Sequence, residues 1–226
     1  LFPYTTLFRS RCIKGVKVKS ARGACGFSMR DMQLMPNQLV EWLFMLYRAI
    51  EAGMPWPSRL TLARVTMLAK PGEDNHRPTS VRPITIVSVI YRLWSRFRSL
   101  QVIQHLGAMV PPQIGGIAAR LSADCLNALV CDLIEEAHET GNHRCGLVID
   151  LKKCFNLVPR STLARLMEKL ELPAQYVIAH QGMLKGLKRL VEVAGQVGSE
   201  QDSTCGVPEG CAFSVAAMVE IGRAHV

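Results

Sequence analysis

None of the 8 cysteines in this chain stands in a C-x-x-C pair. That excludes a zinc ribbon or knuckle within this span, because such sites take paired thiolates at short spacing. No apolar run is long enough to cross a bilayer, and no secretory signal stands out. With no sign of secretion, the cysteines are expected to be reduced and mostly buried. There is no internal repeat and no low-complexity tract. Acid is in short supply, with Asp+Glu 18 against Lys+Arg 27 and a formal net charge of +9. A surplus of that size favours a polyanionic partner, nucleic acid ahead of membrane, although many basic proteins bind none. What remains is ordinary globular composition, 49% hydrophobic and 20% charged over 226 residues. That suffices for one domain with a sizeable core, or for one domain and an appendage.

The two ends read unlike the rest. Leu1 to Ser10 and Glu220 to Val226 look like in-frame translations of short-read sequencing adapters. Segments of that origin are set aside in reasoning about a fold. The expected native piece runs from Arg11 to Val219 and stays basic.

Within it, residues 11–35 are rich in Lys, Arg and Gly and read as a mobile arm or loop, with a short helical turn starting near Ser28. Apolar residues at helical spacing from Leu39 to Ile50 predict a helix opened by Pro36 and stopped at Gly53. Leu62 to Leu68 and Val81 to Val87 read as two strands of a hairpin around an exposed, turn-rich connection. Ser88 can cap a helix to about Leu106, and Ser122 another to about Glu139. Gly146 to Leu151 reads as a buried strand carrying one carboxylate. Helices are expected from Pro159 to Leu170 and from Pro173 to Leu184, then a strand from Arg189 to Ala194. Gly206 to Gly210 is a tight loop feeding an apolar helix over Ala212 to Val219. This alternation argues for α+β or α/β.

Three features carry chemistry. In Val148-Ile149-Asp150-Leu151-Lys152-Lys153-Cys154-Phe155-Asn156, apolar residues lead an acid out of a strand. A buried carboxylate is costly unless it is paired or binds a metal; the same pattern also suits an Asp that caps a turn. In Gly206-Val207-Pro208-Glu209-Gly210, the backbone N–H groups could face a phosphate or a nucleobase, yet such turns before helices are common. Lys70 and Arg82 put one cation on each arm of the hairpin and could clamp a triphosphate, or could simply be solvated.

Taken together and in order, these features resemble the reverse-transcriptase family, in its non-LTR retrotransposon form. Arg82-Pro83-Ile84 with Ser88 and Tyr91-Arg92 resembles that family's fingers signature, and Pro112-Gln113-Ile114-Gly115 the element that follows. Ser122-Ala123-Asp124 stands where these enzymes start the helix before the catalytic strand. Asp150 to Asn156, Pro159-Arg160 and Gly206 to Ser214 resemble its palm motifs. The resemblance implies an α+β fold: right-hand polymerase fingers over about 22–120 and an incomplete palm over about 121–219, preceded by a basic arm over 11–21. It implies an RNA-directed DNA polymerase that uses an RNA template, a DNA primer and dNTPs, with no membrane partner. Two Mg²⁺ ions, or Mn²⁺, would sit about 3.5–4 Å apart. Asp150 would be the catalytic metal ligand, helped by the backbone carbonyl of Leu151. Lys70, Arg82, Phe155, Pro208, Glu209 and Gly210 would bind the dNTP, with Phe155 rejecting a 2′-hydroxyl. Arg92, Arg96 and Arg98 would meet the nucleic-acid backbone. Glu209 departs from the Gln of many relatives, which leaves its role open. The implied location is inside the cell, nuclear or cytoplasmic, in a retroelement ribonucleoprotein. The alternatives are a group II intron-type reverse transcriptase, an RNA-dependent RNA polymerase and a decayed remnant that binds nucleic acid without catalysis; Phe155 argues against use of rNTPs.

The family's second palm carboxylate motif, an aromatic-x-Asp-Asp, should follow the helix after Ser214, and no Asp occurs after Asp202. The expectation is a domain cut before that motif. These 226 residues alone, mixed with primer–template, Mg²⁺ and dNTPs, are therefore expected to give no extension on a sequencing gel. Clear extension would overturn that expectation.

Overall fold

The structure, a computed structural model, describes residues 13–15, 19–72, 80–107, 123–147, 153–193, 195–209, 211–214, 216 and 218. The first helix described in full is short, α1 (Met29–Gln33), and starts with a reciprocal cap: the Asp31 amide donates to Ser28 Oγ, and the Ser28 amide donates to Asp31 Oδ2 at 2.7 Å. Helix α2 (Asn37–Glu51) follows, burying Leu43, Phe44, Tyr47 and Ile50 on one face, as its periodicity predicts. A single turn, α3 (Ser58–Thr61), leads into β1 (Leu62–Ala69), which pairs antiparallel with β2 (Val81–Ile86). Then come α4 (Val89–Gly107), α5 (Ala123–Thr140), the turn α6 (Cys154–Leu157), α7 (Arg160–Lys169) and α8 (Ala174–Gly186). The chain returns to the sheet as β3 (Lys188–Val193), parallel to β1, and doubles back as β4 (Gln196–Asp202), giving the order β2-β1-β3-β4.

The sheet divides into two faces because side chains alternate along each strand. Ala63, Val65 and Thr85 are buried on one face. The other face carries Arg64, Thr66, Leu68 and Ile84, and an ion pair crosses it from Arg64 Nε to Glu192 Oε2 at 3.2 Å. Gln196–Asp202 has no apolar alternation and is exposed throughout, so the sequence offers no signal for this strand. Ladder bonds to β3 alone make it one.

Few residues are aromatic, 6% of the chain, yet they concentrate in the core. Trp94 stacks on Tyr91 at 5.7 Å and on Phe213 at 5.5 Å, and meets Trp56 edge-on. Their polar tips find partners, as buried Trp and Tyr require. Trp56 Nε1 donates to the Ala179 carbonyl, Tyr47 OH to the Ile90 carbonyl and Trp94 Nε1 to Glu51 Oε1.

Arg98 belongs to this core, which corrects its expected role at the nucleic-acid backbone. Its side chain is 3% exposed. Nε and Nη2 each donate to a Glu51 oxygen at 2.7 Å, and Nη1 donates to Gln101 Oε1 and Tyr176 OH. The guanidinium also lies 4.4 Å from the Tyr176 ring centre. A charge this deep needs a buried carboxylate, and α2 supplies it.

Three further expectations change. The described part of the basic arm is packed rather than loose. Ile13, Met29 and Met32 are buried, and Arg92 and Arg96 on α4 donate to the carbonyls of Ala21 and Gly15. Gly23 lies so close to β2's end that a Cβ there would stand 2.7 Å from the Val87 carbonyl oxygen. The described cysteines are mostly exposed rather than buried. Among the described residues only Cys211 is buried, and Cys125 and Cys131 ride on α5, a helix exposed almost all round. Gly146 and Leu147 are not strand, and Leu147 is 84% exposed. An apolar run becomes strand only where a neighbour takes its backbone bonds. The rest of that expected strand, the Pro111-Pro112 break and Ser122 lie outside the described residues. No helix among the described residues is long and apolar enough to cross a membrane.

Removing one partner of the Glu51–Arg98 pair strands a buried charge. Arg98→Met alone is expected to lower stability by about 3–5 kcal/mol, whereas Glu51→Leu with Arg98→Met costs far less than the two single changes together. Urea unfolding of the four proteins of this cycle checks it; additive losses would show that the two groups act independently.

Candidate active site

Two segments remote in sequence meet at one point. Just before α6, Lys153 adopts a left-handed backbone, φ 54°, a conformation that costs a non-glycine residue about 1 kcal/mol or more. The turn it begins carries Phe155 and Asn156, both half-buried. Facing it is the Ser203–Glu209 loop. The Val207 amide donates to the Phe155 carbonyl at 2.7 Å, and the Gly206 amide to the Val158 carbonyl at 3.1 Å. Gly206 has φ +71°, and a Cβ there would lie 2.5 Å from the Asn156 carbonyl oxygen. Only glycine lets the two backbones come this close.

A side-chain bond closes the same junction. Asn156 Nδ2 donates to Glu209 Oε1 at 2.6 Å. The position needs an acceptor, which a Gln carbonyl oxygen would also provide. The departure at Glu209 therefore keeps this contact and adds a negative charge.

Arg160, the first residue of α7, holds the loop from behind. Nε donates to the Gly206 carbonyl, Nη1 to the carbonyls of Leu184 and Ser203, and Nη2 to Ser203 Oγ and the Cys205 carbonyl. Every acceptor is neutral. Burial, and then the charge of Arg189, push the guanidinium pKa down from its ordinary value. Motif spacing marks Arg160 in the sequence, but nothing there shows what it binds.

Lys70 and Arg82 also come together. Arg82 stands opposite Leu68, and the Lys70 amide donates to the Ser80 carbonyl, so the ladder continues past β1. Alternation puts Lys70 on the face of Leu68, and hence of Arg82. Arg82 is exposed and Lys70 half-buried. Pro208 is buried and Glu209 half-buried. Asp150, Leu151 and Gly210 lie outside the described residues. Among the described residues no group of three or more His, Cys, Asp or Glu could hold a metal ion.

The family model described as "Reverse transcriptase (RNA-dependent DNA polymerase)" matches residues 68–221. The chain belongs to the reverse transcriptase family. The matched span runs from the end of β1 through both halves of the junction. Similar proteins include the probable RNA-directed DNA polymerase from transposon X-element of Drosophila melanogaster, 25% identical over 79% of this chain and 20% of that protein. The Pol polyprotein from the type-1 retrotransposable element R2 of Popillia japonica is 29% identical over 70% of this chain and 21% of its own length. The RNA-directed DNA polymerase from mobile element jockey of Drosophila melanogaster is 24% identical over 88% of this chain and 22% of that protein. The reverse-transcriptase chain thus spans about a fifth of the length of these curated relatives.

One residue that the sequence did not single out lies behind the loop. His180 on α8 is fully buried, its ring 4.7 Å from that of Phe213. Burial, then the Arg160 charge, lower its pKa from 6.5 to about 3, so it is neutral near pH 7 and serves as packing. The unfolded chain takes up this proton first, so stability falls as pH drops from about 6.5 towards about 3. By about pH 5 the loss is roughly 2 kcal/mol. Urea midpoints at about pH 7.5 and about pH 5 should differ by less in His180→Leu than in the wild type; an unchanged gap would assign the proton to another group.

Proposed function

We propose that this chain supplies the nucleotide-binding part of an RNA-directed DNA polymerase from a non-LTR retroelement, with fingers over about 22–120 and palm over about 121–219. The observation that carries this reading is the junction of the Phe155–Asn156 turn with the Gly206–Glu209 loop. It joins the Phe155 ring to a loop whose Gly206 and Val207 amides are spent on holding the Phe155 turn, and it ends the segment that follows Asp150. In this reading the substrates are an RNA template, a DNA primer and a dNTP.

Each group has a part that its chemistry supports. Arg82, with Lys70 on the same face of the hairpin, neutralises the triphosphate; Arg82 is the exposed one and can reach it. Phe155 lies under the sugar, where a ring leaves no room for a 2′-hydroxyl. Its carbonyl is taken by Val207, which fixes the turn beneath the ring. Pro208, Glu209 and Gly210 line the nucleotide and template pocket, and Asn156 holds the Glu209 carboxylate in one orientation.

Reverse transcriptases generally use divalent metal ions. In this reading Asp150 and the Leu151 carbonyl would hold them, and hard oxygen donors suit Mg²⁺. The described residues bring no further cluster of acids to complete such a centre, so no step is assigned through it. Bound metal would supply charge stabilisation at the transferred phosphoryl group.

Binding separates this reading from a merely basic protein. Titrated with a fluorescent dNTP in Mg²⁺, the chain is expected to saturate, and Arg82→Ala to weaken binding about tenfold. Phe155→Ala should narrow the preference for dNTP over rNTP. Binding indifferent to both substitutions would remove the reading.

A further inference from the structure

Behind the Gly206 loop, where α7 begins, α8 ends and β4 leaves the sheet, lies a cavity of about 530 Å³. Its polar lining is Arg160, Gln181, Lys185, Asp202, Ser203 and Thr204. None of the residues assigned above to the nucleotide lines it.

Cations outnumber acids in the lining, Arg160 and Lys185 against Asp202. Arg160 spends its N–H groups on neutral oxygens, so its charge meets no carboxylate through them. The Arg189 charge is close enough to disfavour that of Arg160 further. Lys185 is exposed beside the cavity. The one acid in the lining, Asp202, is exposed and stands opposite Lys188 in the ladder, where it helps raise the pKa of that lysine. The Lys188 ammonium itself is bonded to Glu200 Oε2 at 3.0 Å.

Donors are also left over. Gln181 Nε2, in the lining, is buried with no hydrogen-bond partner among the described residues. A buried donor left unmade costs about 1–3 kcal/mol, and each such group calls for an explanation. Ser203 Oγ accepts from Arg160, which leaves its own O–H to donate. An anion with several acceptor oxygens answers both the charge and the donors.

We propose that this cavity is a phosphate-binding site, with Gln181 Nε2, Lys185 Nζ and the hydroxyls of Ser203 and Thr204 contacting the oxygens. Arg160 and Arg189 supply the positive field. The phosphate belongs either to the backbone of a nucleic-acid strand or to a free phosphate. A phosphate held there braces Ser203 and Thr204, and so the segment that Arg160 fastens to Gly206.

The test is a titration of the whole ¹⁵N-labelled chain, followed by NMR at the amides of Gln181, Lys185 and Thr204. One arm uses inorganic phosphate, the other a single-stranded oligonucleotide without terminal phosphates. Phosphate is expected to shift these amides saturably, and Lys185→Glu and Gln181→Ala each to weaken it about tenfold. Lys185 is exposed, so its substitution leaves the fold intact. An oligonucleotide that shifts the same amides and is displaced by phosphate identifies a strand backbone as the source. An oligonucleotide that leaves them alone identifies free phosphate. No shift with phosphate, or equal affinity in the wild type and both variants, overturns the site. Arg82→Ala should leave this titration unchanged, so it stands or falls apart from the dNTP experiment.

Discussion

The guanidinium of Arg160 joins backbone from three places that the chain reaches at very different times. It takes the carbonyl of Leu184 near the end of α8, those of Ser203 and Cys205 beyond β4, and that of Gly206 at the head of the loop. A planar fork with five N–H donors is the one side chain that can satisfy so many carbonyls from one position. With Gly206 fixed from behind by Arg160 and from the front by the close approach of Asn156, the loop has little freedom left. The register between the Phe155 turn and Glu209 follows from that constraint.

The same economy shapes the core. Basic residues exceed acidic ones in this chain, so each buried positive charge competes for scarce partners. Arg98 takes Glu51 and is sealed by Tyr176, which ties α2, α4 and α8 into one unit. Arg160 has only neutral oxygens, and Arg189 has buried donors left unmatched. The contrast separates Arg98, which holds helices together, from Arg160, which fastens a loop beside a cavity. Aromatic rings do the complementary work. Trp56, Tyr91, Trp94 and Phe213 pack as a continuous layer that spans the helices and reaches the segment after the loop.

Much of the fold was legible in sequence where local chemistry and burial agree. The helix from Asn37 to Glu51, the hairpin of β1 and β2, and the starts of α7 and α8 after Pro159 and Pro173 all carry periodicity or capping signals that survive folding. The strand Gln196–Asp202 was not legible, because its pairing with β3 owes nothing to its own side chains. Arg98 was misread for a related reason. On a helix wheel it looks like one more surface cation beside Arg92 and Arg96, and its carboxylate partner lies on another helix, 47 residues away.

By itself the sequence determined the family resemblance, the order of the elements and the residue types at the site. Motif spacing and hydrophobic period are properties of the chain taken a few residues at a time. Only the tertiary structure decided which charges are buried, which donors are spent, and that Asn156 meets Glu209. Those outcomes depend on contacts between segments far apart in sequence, and the free energy of a charge or a hydrogen bond is set by what surrounds it.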